Sequence, residues 1–113
     1  MSTTFEETVY DPMKNVLVLF IEPLCARCKP VFSFYHNLAI AYENDKEVMI
    51  AQMDISANDV EGVVIHELPT IRLYTAGGNG KDMIEYHGEI AIDAIKEFIE
   101  QNRVKVEDES DEL

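Results

Sequence analysis

Val16-Leu17-Val18-Leu19-Phe20-Ile21-Glu22-Pro23-Leu24-Cys25-Ala26-Arg27-Cys28-Lys29 is the stretch on which the architecture turns. Val16 to Ile21 is unbroken apolar sequence rich in β-branched residues. That pattern reads as a strand covered on both faces, hence an interior strand of a parallel or mixed sheet. Glu22-Pro23-Leu24 breaks it. From Cys25 to Tyr42, apolar residues fall at Val31, Phe34, Tyr35, Leu38, Ala41 and Tyr42, the spacing of a helix with one buried face. Pro30 lies inside that helix and is expected to bend its beginning.

Working outward, Thr4-Phe5-Glu6-Glu7 reads as a capping box for a short helix ending near Tyr10, because Pro12 disfavours continuation through Asp11. Glu47 to Ile55 reads as a second strand, Ala57 to Val63 as a short helix, and Thr70 to Tyr74 as a third strand. Ala76-Gly77-Gly78-Asn79-Gly80 is a turn that brings Met83 to Tyr86 back as a hairpin strand. Ala91, Ile95, Phe98 and Ile99 form the apolar stripe of a last helix. The order α, β, α, β, α, β, β, α predicts an α/β fold with a mixed sheet.

The 113 residues suffice for one domain, and no interdomain linker or repeat is visible. Nine basic residues face 22 acidic ones, for a net charge of −13. Arg103 to Leu113 holds two basic and five acidic residues, so the body alone carries −10. This balance argues against nucleic acid and anionic membrane as partners, since both attract positive surface. Val16 to Ile21 is too short to span a bilayer, and Met1-Ser2-Thr3-Thr4 carries no leader pattern.

Two cysteines cannot build a disulfide scaffold, but three residues apart at a strand–helix junction they have a chemical use. Cys25 at a helix N-terminus meets free N–H groups that favour its thiolate. Cys28, one turn on, is close enough to resolve a mixed disulfide. Arg27 is a permanent cation that stabilises the thiolate, hence the reduced pair, and makes the disulfide more oxidising; Lys29 acts the same way and Glu22 opposes both. The alternatives are inert buried thiols or half of a zinc site. Zinc takes about four ligands, and His36, His66 and His87 stand at no metal spacing.

These residues resemble the thioredoxin superfamily, and more narrowly the catalytic thioredoxin domains of protein disulfide isomerases, best the C-terminal one. Val16 to Lys29 is similar to the family's strand followed by Ala-Pro-Trp-Cys-Gly-His-Cys-Lys. Ala51 to Asp54 with Ala57 to Gly62, Leu68-Pro69-Thr70-Ile71, and Ile84 to Glu89 are similar to later family stretches, in order. The resemblance runs from about Phe5 to Glu100. It implies a thioredoxin-like domain over residues 1–102, with the family's first edge strand absent, and an acidic tail over residues 103–113.

The resemblance implies that Cys25 is the nucleophile, Cys28 resolves and Arg27 tunes them. It implies a cis Pro69 facing Cys25, with Leu68 offering backbone groups to a substrate chain. No metal or organic cofactor is expected. Expected partners are unfolded or misoxidised proteins, with glutathione or a thiol oxidase as redox partner, and the isolated domain is expected to be monomeric. Ser110-Asp111-Glu112-Leu113 resembles the Lys-Asp-Glu-Leu retrieval signal, which implies the lumen of the endoplasmic reticulum.

The sequence departs from the family pattern at several positions. Leu24 replaces the tryptophan before the first cysteine, and Ala26-Arg27 replaces Gly-His. Leu19 stands where the family has a buried glutamate thought to move protons for the second cysteine. Ser33 replaces the helix proline, and Pro30 lies closer to Cys28. These departures motivate a second expectation, a peptide-binding or chaperone module with weak redox activity. Phe32, Phe34, Tyr35 and Tyr42 are expected in packing, His36 and His66 at the surface, and Arg72 beside a carboxylate.

Overall fold

The computed structural model describes residues 7–57, 60, 62–78 and 82–106. Strands β1 (Asn15–Ile21), β2 (Val48–Asp54), β3 (Thr70–Tyr74) and β4 (Met83–Glu85) form one sheet in the order β2-β1-β3-β4. Strand β1 pairs parallel with β2 and antiparallel with β3, which pairs antiparallel with β4. Helix α1 (Lys29–Ala41) makes the crossover between the two parallel strands, and α2 (Ile92–Asn102) follows the hairpin.

Every residue of β1 is buried. Alternation sends Leu17, Leu19 and Ile21 into one core with Val31, Tyr35 and Leu38 of α1 and Ile95 and Ile99 of α2. Val16, Val18 and Phe20 enter a second core with Val9, Val60 and Tyr74. The unbroken apolar run is therefore the sequence image of a strand with two covered faces. Truncating a side chain such as Leu19 to alanine at such a site costs about 2–5 kcal/mol. Tyr35 ties the crossover helix to both parallel strands: its hydroxyl bonds to the carbonyls of Leu17 at 3.1 Å and Ala51 at 2.6 Å.

Two expectations are corrected. Pro30 does not bend a helix. The α-helix begins at Lys29, so Pro30 occupies its first turn, where no intrahelical N–H bond is lost. Cys25 to Cys28 precede it as the cap and body of a 3-10 turn, Ala26–Cys28. Of the stretch expected as a helix over Ala57 to Val63, the described residues Ala57, Val60, Gly62 and Val63 are not helical. Asp54 accepts from the N–H of Ser56 at 2.9 Å and from its hydroxyl at 2.6 Å, a local alternative to helix that its carboxylate favours. Gly62 lies at φ +84°, outside the helical region. Asn58, Asp59 and Glu61 lie outside the described residues, as do Thr4 of the capping box and the tail from Glu107.

The packed body continues past α2. Arg103 pairs with Asp45 at 2.8 Å and with Glu100 at 3.2 Å. Val104 bonds to the buried side chain of Asn15 at the start of β1.

Candidate redox site

The site lies at the C-terminal end of β1. The chain leaves the sheet at Ile21 and turns at once, with the Cys25 N–H donating to the Glu22 carbonyl at 3.1 Å. Cys25 then caps the 3-10 turn, and its Sγ accepts from the Cys28 N–H at 3.1 Å. That amide holds a donor against the sulfur, and the donor interacts more strongly with a thiolate than with a thiol. The two cysteines are joined by a disulfide, with their Cα atoms 5.3 Å apart.

The two sulfurs differ in access. Cys25 is half-buried, whereas Cys28 is 0% exposed and packs with Leu19, Val31 and the rest of the helix-side core. An incoming thiolate therefore reaches Cys25. Leu24, beside it, is 97% exposed, an apolar side chain presented to solvent at the mouth of the site. Arg27 and Lys29 are also exposed, on either side of Cys28.

The loop before β3 meets the same core. The Leu68–Pro69 peptide is cis, as the resemblance implied. Leu68 and Cys25 both pack against the helix-side core from partly exposed positions. The loop is tethered from two sides. The Thr70 hydroxyl donates to the Glu67 carbonyl at 2.5 Å. Arg72, buried in β3, donates to the Val64 carbonyl at 2.7 Å and pairs with Glu85 of β4 at 3.0 Å. Its guanidinium also lies 5.6 Å from the ring centre of Phe20. Arg72 does pair with a carboxylate, as expected; that it also holds the approach to Pro69 had no signal in the sequence. His36 and His66 are exposed.

The thioredoxin family model matches residues 1–101. The chain belongs to the thioredoxin family. Within that family it is 40% identical over 96 residues to the protein disulfide-isomerase of Oryctolagus cuniculus, covering 85% of this chain and 19% of the relative. It is 43% identical over 98 residues to that of Saccharomyces cerevisiae, covering 86% and 19%. The chain thus spans about a fifth of the length of these relatives. Human ERp44 superposes with a TM-score of 0.72 at 21% identity over 89% of this chain and 31% of that one. The J-Trx1 fragment of ERdj5 superposes with 0.68 at 16% identity over 89% and 48%. At these identities the superpositions bear on the fold alone, and they agree with the mixed sheet and flanking helices described above. The thioredoxin-family assignment gives the Cys25–Cys28 pair its context, a strand–turn–helix junction whose core is shared by Leu68 of the cis-proline loop.

Proposed function

We propose that this chain is a thiol–disulfide oxidoreductase of the protein disulfide isomerase kind, acting on folding proteins. The observation that carries the reading is the Cys25–Cys28 disulfide with one accessible and one buried sulfur, at the end of an interior strand.

In the oxidising direction, a substrate thiolate attacks Cys25 Sγ. The Cys25–Cys28 bond breaks, Cys28 departs with the electron pair and takes up a proton, and a mixed disulfide joins substrate to Cys25. A second substrate thiolate then attacks the substrate sulfur of that mixed disulfide and expels Cys25 as thiolate. The substrate gains a disulfide and the chain becomes a dithiol. Glutathione disulfide or a thiol oxidase restores the chain's disulfide. The reverse sequence reduces substrates, and alternating the two isomerises them.

Each residue has a part in this scheme. The Cys28 amide and the Arg27 cation stabilise the Cys25 thiolate. Cys28 resolves. Leu68 and the cis Pro69 offer an extended surface to a substrate backbone. Unfolded or misoxidised proteins are the substrates, and no metal or organic cofactor enters the scheme. The domain occupies residues 1–102, with Arg103 and Val104 packed against it, and the acidic tail runs on to residue 113. The tail's Ser110-Asp111-Glu112-Leu113 supports residence in the lumen of the endoplasmic reticulum.

Insulin reduction and refolding of scrambled ribonuclease test the reading. Cys25→Ser should abolish turnover, and Cys28→Ser should accumulate mixed disulfides. Turnover unchanged by either substitution overturns it. The apolar surroundings of Cys28 favour a second reading, in which resolution is slow and the chain chiefly binds peptides. Peptide binding indifferent to the oxidation state of the pair, with negligible turnover, would select it.

A further inference from the structure

The chain reaches the Leu68–Pro69 loop through residues 62–68, which form neither helix nor strand. Val63, Ile65 and Leu68 of this segment pack on the sheet face that carries Val16, Val18 and Phe20. Two hydrogen bonds from β3 close around the loop, one inside the other. The Thr70 hydroxyl donates to the Glu67 carbonyl three residues back, and Arg72 Nη2 donates to the Val64 carbonyl eight residues back at 2.7 Å. Leu68 and Pro69 lie within both rings. Val64 itself is 60% exposed, so the bond from Arg72, rather than burial of its own side chain, fixes its place.

Arg72 is set in β3 opposite Val18 of β1 and Glu85 of β4. Its side chain is only 10% exposed, Glu85 Oε1 accepts from its Nε at 3.0 Å, and the ring centre of Phe20 lies 5.6 Å from its guanidinium carbon. Stability gives weak grounds for a cation here. Pairing a buried guanidinium does little more than offset its desolvation, and an apolar side chain of similar volume often does as well. What an apolar side chain cannot do is reach two acceptors at once. The planar fork gives Nε to Glu85 and aims Nη2 at the loop. A lysine ammonium, a single point of charge on a flexible stem, has no such fixed second arm.

We propose that Arg72 is a positioning residue for protein substrates: by gripping the Val64 carbonyl it holds the Leu68–Pro69 loop in the place where an extended polypeptide meets it. Leu68 and Cys25 pack on the same core, so the placement of the loop sets where that polypeptide lies relative to the sulfur. The role rests on the oxidoreductase reading above and adds to it a division of labour. Cys25, Cys28 and Arg27 govern the sulfur exchange, whereas Arg72 governs how well a polypeptide is held while exchange takes place. A disulfide with no peptide backbone gains nothing from the loop, so the effect of Arg72 is confined to polypeptide substrates.

Steady-state reduction of insulin by the 113-residue chain, with dithiothreitol as terminal reductant, tests this beside oxidation of the reduced chain by hydroxyethyl disulfide. Arg72→Lys keeps a cation for Glu85 and gives up the fixed second arm. It should fold like the parent by circular dichroism, raise KM for insulin by about fivefold or more, keep kcat within about twofold and leave the hydroxyethyl disulfide rate unchanged. Thr70→Val, which removes the hydroxyl of the inner bond, should show the same split. A raised KM at constant kcat marks binding lost equally from ground and transition states, and a general loosening of the fold would not confine it to one substrate. A parental KM in Arg72→Lys overturns the positioning role alone. So does a lost folded spectrum, or a fall in rate common to insulin and hydroxyethyl disulfide, either of which assigns Arg72 to the fold. A parent chain that does not reduce insulin overturns the oxidoreductase reading, and the positioning role with it.

Discussion

Asn15 and Val104, 89 residues apart in sequence, bond to each other twice. Asn15 Nδ2 donates to the Val104 carbonyl at 2.9 Å, and the Val104 N–H donates to Asn15 Oδ1 at 2.8 Å. The same amide group donates to the Glu47 carbonyl at 3.0 Å and accepts from the Ala76 N–H at 3.1 Å. One fully buried side chain thus joins the start of β1, the loop before β2, the hairpin turn and the segment after α2. Asn15 marks the end of β1 opposite to Cys25, so the closure of the domain and its candidate chemistry lie at opposite ends of the strand.

Replacing Asn15 by alanine strands several buried backbone groups at once. Each lost partner leaves a desolvated donor or acceptor, so Asn15→Ala should destabilise the fold by about 2–4 kcal/mol. The midpoint of urea unfolding measures this. A change below about 0.5 kcal/mol, the size of ordinary surface substitutions, would remove Asn15 as the fastener.

Acid sensitivity should concentrate at Asp45. The hydrogen bond from Arg103 holds its carboxyl below the ordinary range, against an opposing effect of burial. A depressed folded value means the ionised form favours folding. Its contribution is full above about pH 4, the unfolded value, and is lost as pH falls through the lower folded one. Arg103→Leu should flatten this part of the acid limb in urea midpoints taken from pH 6 down to pH 2. An unaltered slope would assign the acid sensitivity elsewhere.

Alkaline stability should depend on Tyr35. Burial pushes its hydroxyl far above the ordinary tyrosine value, although bonds to backbone carbonyls act the other way. A raised folded value means the neutral form favours folding. That contribution is full below about pH 10 and is lost as pH rises beyond it. Tyr35→Phe should cost about 1 kcal/mol at neutral pH and shrink the loss between pH 9 and pH 12. Thermal melts across that range read both effects.

Redox poise should be nearer to the isomerases' roughly −180 mV than to thioredoxin's roughly −270 mV. Arg27 favours the thiolate and so the reduced pair. Arg27→Gln should make the couple more reducing, by on the order of 10–30 mV, and slow Cys25 alkylation near neutrality. Glutathione titration measures the first and iodoacetamide kinetics the second. A parent potential at or below thioredoxin's would contradict the assignment of Arg27.

The elements legible in the sequence were those whose cause is local. The apolar run at Val16, the helical stripe after Cys28, the glycine turn after Ala76 and the stripe of the last helix each appear close to their expected places. The segment after Asp54 misled because an aspartate suits a helix cap and an Asx turn equally, and the Asp54 carboxylate takes Ser56 in a turn. Pro30 misled because the position of a proline in a helix matters only relative to where the helix starts.

The sequence by itself determined the strand–cysteine–helix junction, the two-faced burial of β1 and the charge of the molecule, because each depends on neighbours along the chain. Tertiary structure decided which sulfur faces outward, that Arg72 anchors the approach to Pro69, and that Asn15 and Arg103 fasten the segment after α2. These depend on hydrogen bonds and packing between residues tens of positions apart. No periodicity records them, since their partners become neighbours only once the sheet has formed.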